Sequence, residues 1–138
     1  MTGVSQTTFG DDGNCFAACV ATLLHLPIKD VPNFCSLPGD WMAQANDWAA
    51  ARGFQFVTVG VGRDWLELAE AKRVFGILAG NSHRGRMHAV VWYHGETWDP
   101  HPDRTGLVDT TEVTLLVPLE PPPPATAGVE RPWGEGAP

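Results

Sequence analysis

Positive charge, long hydrophobic runs and cysteines are all scarce in this sequence, and each shortage excludes something. Nine lysines and arginines face sixteen aspartates and glutamates, for a formal charge of -7. A general nucleic-acid binder needs a basic face to displace counterions, so no nucleic-acid partner is expected. No apolar stretch approaches the ~20 residues that span a bilayer, so no membrane partner is expected either. The opening MTGVSQTTFGDDG has neither a basic start nor an apolar centre, which predicts no signal peptide. Three cysteines make an odd count without a disulfide framework and suit a reducing compartment, so the expected location is cytoplasmic.

What is present describes a globular chain: 43% apolar and 18% charged residues over a length of 138. One domain is expected over residues 1–119, followed by a disordered tail over 120–138, where PPPP and scattered Gly and Ala replace any periodicity. From Cys15 to Leu26 apolar residues recur at helical spacing, with Asn14 as the expected N-cap and Pro27 as the stop. A second helix is predicted from Trp41, capped by Asp40, to Arg52 before Gly53. FQFVTVGV reads as a strand and DWLELAEAKR as a short helix. VFGILAG, HAVVWYH, ETWDP and EVTLLVPL then read as successive strands, with Gly95 in a hairpin turn between the second and third. Helices first and antiparallel strands afterwards is the α+β pattern.

Chemistry centres on Cys15, which directly follows the cap position in GDDGNCFAACVATLL. A helix N-terminus favours a thiolate, and its unpaired N–H groups can hold the oxyanion formed when sulfur attacks a carbonyl. The competing reading is a small buried core thiol. A nucleophile needs a base and the base an orienter. His88 opens HAVVWYHG and Asp99 closes ETWDP, so a hairpin at Gly95 puts them on adjacent strands, offset by a few residues. In GNSHRGRMH, Arg84 and Arg86 precede His88 and are candidates to receive a carboxylate or phosphate, against the alternative of a basic surface loop.

The set Q…GNCFAAC, HAVVWY and WDP resembles the papain-like cysteine peptidases, most closely the bacterial leader-peptide-processing branch of bacteriocin export, and also small papain-like proteins of phage and bacterial genomes. The resemblance runs over residues 5–118 and rests on about a dozen residues. It implies an α+β papain-like fold, with a nucleophile helix packed on an antiparallel sheet. It also implies a Cys15–His88–Asp99 triad, no cofactor or metal, and a peptide or protein substrate. The matching glutamine is Gln6, an oxyanion donor if TTFGDDGN loops out to restore its reach; otherwise Asn14 or the Cys15 amide serves. Phe16 stands where the family has glycine. The implied reaction is hydrolysis of a peptide, isopeptide or amide through a thioester. A transglutaminase-like acyltransferase and a catalytically idle binding module are the alternatives.

Other motifs are weaker. Cys15, Cys19 and Cys35 lack the paired knuckle spacing of structural zinc sites. HGE at His94–Glu96 lacks the downstream cysteine pair of a zinc deaminase. His101 in DPHPDR is a rival base or, by preference, a surface or structural residue, and Asp103 with Arg104 reads as a solvated pair.

Overall fold

The computed structural model describes residues 2–61 and 74–120. The helix expected over DWLELAEAKR and the tail from 121 onward lie outside the described residues. Within them the protein is α+β. Two α-helices, α1 (Cys15–Leu24) and α2 (Trp41–Ala50), precede the strands β1 (Phe54–Gly60), β2 (Phe75–Asn81), β3 (Met87–Tyr93), β4 (Glu96–Trp98) and β5 (Glu112–Pro118). The strands form one antiparallel sheet in the order β1-β5-β2-β3-β4. The last strand thus inserts between the first two.

Local chemistry explains most boundaries. Asp40 Oδ1 accepts the Ala43 N–H, which opens α2 as a side-chain cap. Gly53, at φ +85°, lets the chain turn directly into β1. His94 and Gly95 both have positive φ, 50° and 86°, between the paired residues Tyr93 and Glu96. That is the two-residue primed turn that matches strand twist.

Helix α1 ends at Leu24, earlier than Pro27 would require, because His25 takes the left-handed conformation and its N–H bonds back to Thr22 O. Its start also departs from expectation. The Asn14 side chain makes no cap bond. Its oxygen instead accepts the N–H groups of Thr7 and Thr8, and its amide nitrogen donates to Thr7 Oγ1. These bonds fold the N-terminal segment back on itself.

The run from Phe16 to Thr22 is buried without a break, so α1 is enclosed on all sides rather than amphipathic. Phe16, Val20 and Ala21 join Phe34, Ala45, Ala49, Phe54, Phe56, Ile77 and Val91 in the main core, between the helices and one face of the sheet. Leu78, Val90, Trp92 and Val113 form a second cluster on the opposite face. The Phe16 ring meets Phe34, Trp41 and Phe56 edge-on at 5.4–6.4 Å. The Phe16 ring therefore locks α1 to α2 and to the sheet. No helix among the described residues is long and apolar enough to cross a membrane.

Candidate active site

Between the N-terminal segment, the two helices and the sheet a cavity of about 580 Å³ opens. Cys15 and Phe16 from α1, His88 and Ala89 from β3, Gln6 from the N-terminal segment and His101 from the loop after β4 all line it. A space of this size accommodates a side chain or a small ligand.

The His88–Asp99 pair is formed as expected and is buried. His88 Nε2 lies 2.6 Å from Asp99 Oδ1, and both side chains are about 95% removed from solvent. Continuing the β3–β4 register places Asp99 beside Val90. The offset to His88 is thus spanned diagonally by the side chains, without a bulge. Oδ1 also accepts the His101 N–H at 2.8 Å, and Oδ2 the Gly106 N–H at 2.7 Å. Burial pushes the Asp99 carboxyl up, but these three donors outweigh it, and its pKa lies below the ordinary 3.8. An ionised carboxylate only accepts, so the imidazole nitrogen that faces it, Nε2, carries a proton and Nδ1 is the nitrogen turned away from the carboxylate.

Cys15 opens α1 against β3. Its thiol pKa is raised above the ordinary 9.0, against the expectation that the helix terminus would lower it. Burial is the largest influence; the backbone N–H groups of Ala89, Phe16 and Cys15 pull the other way but do not offset it, and the Asp99 charge adds to the rise. Because Asn14 does not cap the helix, the Phe16 and Cys15 amides are left to the sulfur. Cys15 and His88 share the cavity, although no hydrogen bond joins their side chains.

The other expected residues fare differently. Gln6 reaches the cavity because residues 7–14 loop out around a 3₁₀ turn at Gly10–Asp12. It is 6% exposed; its backbone N–H bonds to Pro100 O, and one side-chain N–H goes to Thr8 O. Its Oε1 is buried without a hydrogen-bond partner among the described residues, and Nε2 keeps a second N–H. Asn14 is not in the cavity wall, so its amide is not brought to the site. Arg84 and Arg86 do line the cavity, but each is already paired: Arg84 with Asp103, and Arg86 with Asp11 across the mouth. Asp103 and Arg104 accordingly do not pair with each other. Arg104 donates to Asp99 O and to Ser5 Oγ, and stacks over Trp98 at 4.6 Å. Cys19 is fully buried in the core. Cys35 lines the cavity but is exposed overall, and the partial desolvation of its thiol pushes it up to about 11.

His101 belongs to the cavity rather than to the surface alone. Its ring meets His88 edge-on at 6.1 Å and Phe9 at 5.3 Å, and its Nδ1 accepts the Asp103 N–H. Sequence reasoning passed over Gly106, Phe9, Met87 and Glu112. Gly106, at φ +74°, presents the amide that holds Asp99, and the other three line the cavity. DPHPDRTG is a cluster of turn residues directly after the orienter, and that was the available signal for Gly106. No family model, curated protein or solved structure matches the chain.

Proposed function

We propose that this protein is a papain-like cysteine hydrolase acting on a peptide, isopeptide or amide bond. The observation that carries the reading is the buried His88–Asp99 couple, oriented by two further amides, whose His88 shares a cavity with a cysteine that opens a buried helix. A histidine–carboxylate pair could serve packing alone, but a pair that faces a cavity with a thiol has the parts of an acyl-transfer site.

In the proposed cycle the resting pair is neutral. As Cys15 Sγ attacks the carbonyl carbon, its proton passes to His88 Nδ1, and Asp99 stabilises the imidazolium that forms. The Cys15 and Phe16 amides, with the free Gln6 N–H, hold the carbonyl oxygen as it becomes negative. The C–N bond then breaks, the imidazolium protonates the leaving amine, and a thioester remains. Water gives a proton to Nδ1 as it attacks the thioester; the acid leaves, and the proton returns to sulfur. An amine in place of water would make the same machinery a transferase.

Limiting alkylation read by intact mass tests the reading. Cys15 should react faster than Cys35, and His88→Ala should abolish the difference; identical profiles in the two proteins would remove the triad. The lack of a hydrogen bond between Cys15 and His88, together with the raised thiol pKa, favours a second reading, an idle binding module of the same architecture. A Cys15 no more reactive than Cys35 would select it.

A further inference from the structure

The sheet floor of the cavity carries a carboxylate that the catalytic reading does not use. Glu112 opens β5 and lines the cavity. It shares the helix-facing side of β5 with Thr114 and Leu116, while Val113 and Leu115 face the other way. Its cross-strand neighbours are Gly60 on β1 and Ala79 on β2, two of the smallest residues available. A Cβ built on Gly60 would meet nothing within 4 Å, so the space beside Glu112 is open. The next row of the same face is polar as well, with the Thr58 and Thr114 hydroxyls 2.7 Å apart.

Charge accounting around the cavity gives the sign of the ligand. Arg86 is matched by Asp11, Arg84 by Asp103, and Asp99 holds His88. Glu112 has no ion-pair or hydrogen-bond partner among the described residues. Among the described residues the two arginines that the sequence offers to an anion are therefore already paired, and the cavity-lining charge left without a partner is the Glu112 carboxylate. The net charge of -7 adds an attraction for cations over the whole surface. Apolar walls from Ile77, Ala79 and Met87 lie on the same floor and rim, and Met87 is 58% exposed. A group with an aliphatic stem and a positive end fits both features: the stem covers apolar surface and the charge reaches the carboxylate.

We propose that Glu112 is the specificity determinant of this cavity, selecting an acyl donor with a cationic alkyl side chain, of the lysine or arginine type, beside the scissile carbonyl. The inference rests on the acyl-transfer reading for the word donor, while the cation site itself stands on the geometry of the floor. Replacing a neutral contact by a charge-assisted one at a partly exposed site corresponds to about a tenfold preference, and added salt weakens it.

Three probes of equal length test this on the full chain: hexylammonium, hexanol and hexanoate, followed by amide shifts at Ala79 and Thr114. Hexylammonium should bind about tenfold tighter than hexanol, with hexanoate weakest, and Glu112→Gln should bring the three level. Glu112→Asp should keep part of the preference. Equal binding of all three probes to the wild type, or an unaltered preference in Glu112→Gln, overturns the proposal. Peptide amides that differ only by lysine or norleucine supply the second arm, with the lysine substrate favoured in kcat/KM and the advantage lost in Glu112→Gln. Amine preference without turnover of either peptide would discard the hydrolase and keep the cation site. Turnover without either preference would do the reverse.

Discussion

Replacing Asp99 by asparagine separates the charge of the orienter from its shape. Two donors converge on Oδ1, from His88 and His101, and one on Oδ2, from Gly106. An asparagine that keeps its oxygen at the Oδ1 position satisfies two of the three and points its NH2 at the Gly106 N–H. One buried donor is then unmatched, at about 1–3 kcal/mol, and the bonds that remain lose their charge assistance. Together these give a loss of about 2–4 kcal/mol at pH 7, or roughly 6–15 °C in melting temperature for a chain of this size.

The pH dependence fixes the sign. The Asp99 pKa lies below its ordinary 3.8, so its charge stabilises the fold above that pH, and the contribution is lost as pH falls through the folded-state value. Urea unfolding of wild type and Asp99→Asn at pH 7 and in the acid range below 3.8 should show a gap that narrows toward acid. A gap of the same size at every pH, or none at neutral pH, would refute the account of Asp99. Because the retained oxygen still accepts from Nε2, the ring keeps its orientation in this variant. Its turnover should fall by about tenfold or more yet stay above that of His88→Ala.

Three other outcomes are expected. The rate of Cys15 alkylation should climb with pH through and beyond 9, since burial holds the thiol above its ordinary 9.0; a plateau beginning below pH 7 would instead reveal a resting thiolate–imidazolium pair. Phe16→Ala removes ring contacts to Phe34, Trp41 and Phe56 and should cost about 3–5 kcal/mol in denaturant titrations, a loss below 1 kcal/mol being inconsistent with its place in the core. Gly80 pairs with His88, and a Cβ there would lie 2.0 Å from Asp109 O. Gly80→Ala should therefore push the loop before β5 away from the sheet and lower the melting temperature by several degrees, on the order of 2 kcal/mol, and an unchanged melt would contradict the packing.

Much of this was legible from local pattern. The helix behind Cys15, the cap at Asp40, the strand in FQFVTVGV and the turn at Gly95 depend on neighbours within a few residues, and each forms, with α1 ending two residues early at Leu24. The proximity of His88 to Asp99 followed from the same short-range logic, because a hairpin converts sequence distance into register. Asn14 departs from the expected cap because its side chain has a choice between the helix and the N-terminal segment that folds back beside it, and the two N–H groups of Thr7 and Thr8 prevail. Arg104 was misjudged because its partners, Asp99 O and the Trp98 ring, arise only when the loop after β4 folds back with φ 54° at Arg104 itself.

Among the described residues the sequence by itself determined the types of the main helices and strands, the thiol at a helix start, a histidine on β3, and an aspartate directly after β4. These are consequences of backbone propensity and hairpin geometry, which act over a few residues. The tertiary structure alone decided what stands around them. It set β5 between β1 and β2, which brings Glu112 into the cavity floor. It paired both arginines away, and it raised the Cys15 pKa through burial that no local motif announces. Burial and charge pairing depend on residues distant in the chain, so the sign and strength of a site are settled only when those residues meet.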